Sequence, residues 1–195
     1  MKKLLITGFD PFGGQTVNPA WKSVRALPEH IGEYEIVKLE VPTVFGKAAQ
    51  TVLEKAESLC PDVIVCVGQA GGRSKVTPEV VAINLRDASI ADNAGNKPWN
   101  EPVNEGAPDA LFSTLPVHEM VAAAEAQGLP CALSYSAGAF VCNDLLYSLL
   151  YRYRGTAVRV GFIHVPFLPE QAKDGVPSMP LDAIVETLRA LIEAI

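Results

Sequence analysis

No cluster of lysine and arginine appears anywhere in the chain, and basic residues are outnumbered, 16 against 22 acidic. That balance leaves no electrostatic footprint for nucleic acid or an anionic membrane surface, so neither is expected as a partner. No apolar run approaches the ~18 residues that span a bilayer, and no signal-type apolar segment with a small-residue cleavage site precedes Gly8. The four cysteines, Cys60, Cys66, Cys131 and Cys142, never fall in the close pairs that ligate metals. They read as free thiols of a cytoplasmic protein, with no metal and no cofactor expected. Neither Walker spacing nor G-x-G-x-x-G occurs, which weakens a phosphate-cradle reading of the glycine loops. Internal repeats, linkers and low-complexity tracts are absent as well, and 195 residues suit a single domain covering 1–195.

What is present is a chain 49% hydrophobic and only 19% charged, the composition of a compact fold around a large buried layer. Leu4 to Thr7 reads as a parallel strand buried on both faces, ending at Gly8. A loop with Phe9 and Phe12 follows, two aromatics that serve either as buried plugs or as walls of an apolar pocket. Asn18-Pro19 offers an N-cap and an N1 proline for a helix to about Leu27. Tyr34–Val41 alternates as a strand, and Phe45, Ala49, Val52, Ala56 and Leu59 recur at helical spacing. Val63–Gly68 is the most strand-like run, with Cys66 inside it. Further strands are expected at Val80–Arg86, Leu129–Tyr135 and Val158–Val165, and helices from Pro116 to Gly128, after Phe140, and over Leu181–Ile195. Between Asp87 and Leu115 no period is sustained; such a stretch marks a lid, a binding loop or a subunit contact. About six strands interleaved with five helices predict an α/β fold, a three-layer α/β/α sandwich with a mostly parallel twisted central sheet.

In such a sheet, ligands gather past the carboxyl ends of the strands. Gln69-Ala70-Gly71-Gly72-Arg73 turns just past one of them, Glu79 opens an apolar run, and His164 ends a buried strand. Cys142 falls in the first turn of a helix, where unpaired backbone N–H groups and the dipole favour a thiolate. Each has an unremarkable alternative: Cys142 as core beside Leu146 and Leu149, Glu79 as a solvated strand-end charge, His164 as a core histidine bonded to a carbonyl. Their convergence on one sheet edge favours chemistry. A thiol of pKa ~8.5 needs a base, an imidazole of ~6.5 supplies it, and a carboxylate fixes the imidazole's tautomer.

The chain also resembles a known family, the type I pyroglutamyl (pyrrolidone-carboxylate) peptidases, over nearly its whole length. The likeness is carried by Thr-Gly-Phe-Asp-Pro-Phe-Gly-Gly from Thr7, Val-Asn-Pro from Val17, Val-Gly-Gln-Ala-Gly-Gly-Arg from Val67 and Thr-Pro-Glu from Thr77. It continues in Ala82-Ile83-Asn84, Ala137-Gly138, Phe140-Val141-Cys142-Asn143 and Gly161-Phe162-Ile163-His164-Val165-Pro166. The resemblance implies a cysteine exopeptidase that removes N-terminal pyroglutamate from peptides and assembles as a homotetramer. It implies Cys142 as nucleophile, His164 as general base and acid, and Glu79 as its orienter. Phe9, Phe12 and Phe140 would wall the lactam ring, with groups around Gln69 reading its polar edge. One departure stands out: where the family commonly carries an oxyanion-associated arginine before Ile-x-Asp-Asn, this chain has Ser89. On this reading Arg86 or another side chain is left to compensate. Phosphate-dependent transfer and ligand binding without catalysis are the rival functions.

Overall fold

The computed structural model describes residues 1–173 and 175–195. Its central sheet has six strands in the order β2-β3-β1-β4-β8-β5, comprising β1 (Lys2–Phe9), β2 (His30–Ile31), β3 (Tyr34–Val41), β4 (Val63–Gln69), β5 (Thr77–Pro78) and β8 (Arg159–Val165). The four long strands run parallel, and the short β2 and β5 pair antiparallel at the two edges. β1 and β4 are apolar on both faces because both faces are covered, as expected of parallel strands. On one face Leu4, Ile6, Val63, Val65 and Val67 pack against α1 (Pro19–Ala26), α3 (Val117–Ala126) and α5 (Leu181–Glu193). On the other, Leu5, Ile64, Cys66 and Phe162 pack against α2 (Lys47–Leu59) and α4 (Val141–Tyr153). The result is the expected three-layer α/β/α arrangement.

Local chemistry explains the helix boundaries. Asn18 caps α1 by accepting from Ala20 N at 3.0 Å, with Pro19 at N1. α2 stops at Cys60, which takes a left-handed φ of 51° before Pro61. Phe45 does not belong to that helix: Gly46, at φ 69°, separates it from α2, so the apolar period runs one turn past the helix itself.

Two expected strands differ. Instead of a strand over Val80–Arg86, only β6 (Val81–Ile83) forms, paired antiparallel with β7 (Ala110–Phe112) in a separate two-stranded sheet. Leu129–Tyr135 runs beside 76–80 through single bridges, Val76 with Cys131 and Glu79 with Ser134. Pro78 and Pro130 each lack the N–H that a continuous ladder requires. His30, expected in a loop, sits exposed in β2. The segment after Asp87 is tied down by polar side chains. Buried Asp92 accepts from Phe45 N, Ala94 N, Asn96 N and Asn96 Nδ2 at 2.8–3.0 Å. Among the described residues no helix is long and apolar enough to cross a membrane.

Candidate active site

Strand alternation decides which way β8 points its side chains. Phe162 belongs to the α4-facing core, and His164, two residues on, shares that face. Gly68 of β4 is in register with His164 and two residues past Cys66, another member of the same face. α4 lies over this point. A methyl group added to Gly68 would sit 3.0 Å from Cys142 Sγ and 2.6 Å from the Phe162 ring. The absence of a side chain at 68 therefore lets the sulfur settle above the strand that pairs with His164.

Beside them, Thr77 of β5 pairs with His164, and Glu79 N donates to Phe162 O at 2.9 Å, which carries the Glu79 side chain under the histidine. The carboxylate is fully buried, and Oε1 lies 2.7 Å from His164 Nδ1 and 2.9 Å from Arg73 Nη1. Burial pushes the Glu79 carboxyl up, but the bonds to His164, Ser134 and Arg73 outweigh it and hold it below the usual carboxylate range. Burial pushes the His164 imidazole down, further than Glu79 raises it. At neutral pH the pair is then a carboxylate and a neutral imidazole. Nδ1 carries the hydrogen toward Glu79, and Nε2 is left as the acceptor. The solvated strand-end reading of Glu79 fails because these donors compensate its burial.

Cys142 stands second in α4, after the N-cap Phe140, and no side chain caps this helix. The N–H groups of Val141, Cys142 and Asn143 precede the first intrahelical bond, which runs from Asp144 N to Phe140 O at 3.1 Å. Cys142 is half-buried. Its thiol is pushed up to about 12, first by burial and then by the Glu79 carboxylate, so the resting sulfur is protonated despite the helix start. The turn that holds it is clamped by the next two residues. Asn143 bonds Ile83 N and O at 2.9 and 2.8 Å, and Asp144 accepts from Gly46 N at 2.8 Å and Arg86 Nε at 2.7 Å. Arg86 is thus committed to a buried aspartate, and Ser89 is exposed.

The aromatic residues divide. Phe12 and Phe140 are partly exposed with centroids 6.1 Å apart, and Phe45 meets Phe140 edge-on at 5.2 Å. Phe9, in contrast, is only 2% exposed and packs on Phe162, whose ring in turn lies 4.7 Å from His164. Gln69 Oε1 accepts from Gln171 Nε2 at 2.9 Å, which tethers the turn after β4. In the first glycine loop the Asp10 carboxylate accepts from Thr43 N at 2.7 Å, tying the loop to the end of β3. Phe45, Arg73 and Gln171 were not singled out from sequence. Arg73 was visible only as the end of a turn, while Phe45 matched a helix period and Gln171 carried no motif.

The chain is similar over its whole length to known proteins. The family model described as pyroglutamyl peptidase matches residues 2–195. The chain is 50% identical to the pyrrolidone-carboxylate peptidase of Enterococcus faecalis, over 98% of this chain and 92% of that one. It is 48% identical to the same-named protein of Bacillus thuringiensis, over 99% and 92%. Pyroglutamyl peptidase I of Bacillus amyloliquefaciens superposes with a TM-score of 0.95 at 46% identity, covering 100% of this chain and 96% of the other. For the pyrrolidone carboxyl peptidase of Thermococcus litoralis the TM-score is 0.94 at 33% identity, over 100% and 93%. A whole-chain family match, near-half identity and a shared three-layer fold together establish that this chain belongs to the pyroglutamyl peptidase family of cysteine peptidases.

Proposed function

We propose that the chain, acting as one domain over 1–195, removes N-terminal pyroglutamate from peptides through a thioester acyl-enzyme, with Cys142, His164 and Glu79 as its triad. The observation that carries the reading is the buried 2.7 Å contact of His164 Nδ1 with Glu79 Oε1 on the sheet face beneath Cys142. With the thiol protonated and His164 neutral, no ion pair forms at rest. His164 Nε2 takes the S–H proton as sulfur bonds to the pyroglutamyl carbonyl carbon. The carbonyl oxygen gains the charge, and the free N–H groups of the first turn of α4 receive it. Collapse breaks the C–N bond, and the departing amine takes the proton from the His164 imidazolium. Water then attacks the thioester with His164 again as base. Pyroglutamate leaves, and the thiol is restored. Glu79 keeps Nδ1 protonated and steadies the imidazolium.

Selection follows from the neutral lactam. Phe12 and Phe140, buttressed by Phe45, form an apolar slot backed through Phe162 by the buried Phe9, and the Gln69 turn supplies amide partners. The test is hydrolysis of a pyroglutamyl chromogenic amide by wild type and Cys142→Ala. Turnover by wild type and none by the variant is expected; equal turnover, or none by folded wild type, contradicts the proposal. Binding of pyroglutamate without turnover, with activity gained in Ser89→Arg, would instead point to a binding protein.

A further inference from the structure

The two oxygens of Glu79 are not treated alike. Oε1 receives both His164 Nδ1 and Arg73 Nη1, whereas Oε2 is buried and makes no hydrogen bond among the described residues, although the Ser134 hydroxyl also lies close enough to act on the carboxyl. A carboxylate held by one oxygen is free to turn about its C–C bond, and here turning would offer the unsatisfied Oε2 to His164 instead. Arg73 opposes that rotation. The same Nη1 donates to the Thr77 hydroxyl, on the strand paired with His164, and Nη2 donates to Ser136 O at 3.1 Å. Ser136 lies on the segment that runs into Phe140 and Cys142. One planar guanidinium therefore joins the Glu79 carboxylate, the β5 edge and the lead-in to the nucleophile, a geometry that the ammonium of lysine cannot reproduce.

We infer that Arg73 is a positioning residue for the reaction, fixing which Glu79 oxygen faces His164 and tying that carboxylate to the loop before Cys142. The inference rests on the proposed Cys142-His164-Glu79 triad. Charge acts in the same direction. The charged groups bearing on His164 are Glu79 and Arg73, and those bearing on Cys142 are Glu79, the Cys66 thiol and Arg73. Arg73 lowers both, helping the imidazole stay unprotonated as a base and opposing the rise of the thiol.

The experiment measures kcat, KM and the pH dependence of kcat/KM for wild type, Arg73→Gln and Arg73→Lys on a pyroglutamyl amide. The pH dependence of Cys142 alkylation by iodoacetamide is a second readout that needs no turnover. For Arg73→Gln, kcat falls about 10- to 100-fold with KM little changed, as for a group whose loss misplaces a catalytic one. The acid limb moves up by about one pH unit as the positive charge near His164 is removed. Arg73→Lys keeps the limb near the wild-type position and recovers part of kcat. Wild-type kcat in Arg73→Gln overturns the inference, and so does a loss of activity in both variants with the limb unmoved, the mark of a merely structural residue. If Arg73→Gln does not fold, the neutral Arg73→Met takes its place: reduced kcat with the limb moved up supports the inference, and wild-type kcat or an unmoved limb overturns it. Absence of turnover in wild type counts against the proposed function; the alkylation profiles then decide the role of Arg73, and identical profiles overturn it.

Discussion

Cys66 and Cys142 lie on the same side of the central sheet, and burial pushes both thiols to about 12. Cys66 is fully buried in β4 among Leu5, Ile64 and Phe162. Cys142 is half-buried at the start of α4, above Gly68 and next to the His164–Glu79 pair. Thiol acidity does not separate them. What differs is the surroundings: Cys142 lies over the register partner of His164, at a helix start whose first N–H groups precede the intrahelical bonds, whereas Cys66 has hydrocarbon and the Thr7 hydroxyl. On the proposed mechanism, the nucleophile is made by a base placed to take its proton during attack.

The largest contrast is predicted for removing each sulfur. Cys142→Ala lowers kcat/KM by on the order of 10⁴-fold or more, since the triad acts as a unit. Cys66→Ala leaves kcat/KM within about twofold and lowers stability by about 1 kcal/mol, a typical value for a small core truncation; steady-state kinetics and urea melts check both. Next comes Glu79→Gln, which loses the carboxylate charge and adds an NH2 donor, so that the His164 tautomer is no longer fixed, and lowers kcat by roughly 10²- to 10⁴-fold. Cys66 accessibility to thiol reagents stays unchanged in that variant, while the pH dependence of Cys142 alkylation moves down as the carboxylate that raises its thiol is removed.

A smaller effect is expected of Gly68→Ala, whose methyl group meets Phe162 at 2.6 Å and Cys142 Sγ at 3.0 Å. Overpacking of this kind costs about 1–3 kcal/mol, and displacement of the sulfur lowers kcat roughly tenfold or more. Unchanged kcat in folded Gly68→Ala would detach Cys142 from its position over β4.

The weakest effect is on stability against pH. Folded His164 and Glu79 both titrate below their unfolded values of ~6.5 and ~4.3, so the unfolded chain binds more protons as pH falls. Their contribution is complete above ~6.5 and is lost toward the lower folded values. On the alkaline side both thiols and that of Cys131 act alike. Above ~8.5 the unfolded chain releases protons that the folded thiols keep, Cys131 until about 11 and Cys66 and Cys142 until about 12, so stability declines over that window. Thermal melts from acid to alkaline pH check both slopes, and Cys66→Ala flattens the alkaline one by about a third.

Most of the layer architecture was legible because it depends on local pattern. The apolar runs of β1, β4 and β8, the Asn18-Pro19 cap and the periods of α3 and α5 each appear within one window of sequence. The two misread strands depend on partners. Val80–Arg86 looks strand-like, but its short pairing is with Ala110–Phe112, in a stretch without period, and Pro78 and Pro130 break the ladder beside Leu129–Tyr135. The candidate site follows the same rule. Cys142 and His164 could be found from their places after strands and at a helix start. Glu79 by itself reads as a surface charge, because the donors that allow its burial come from Arg73, across a turn, and His164, 85 residues away. Residue resemblance supplied that assignment, whereas Arg73 and Phe45 required the fold.

The most direct test of the account is to quench the enzyme with acid during turnover of a pyroglutamyl ester and to map the protein by mass spectrometry. The account predicts one added pyroglutamyl group on the peptide containing Cys142, absent in Cys142→Ala and never on the peptide containing Cys66. Undiminished turnover by Cys142→Ala, or an adduct on another residue, would contradict it.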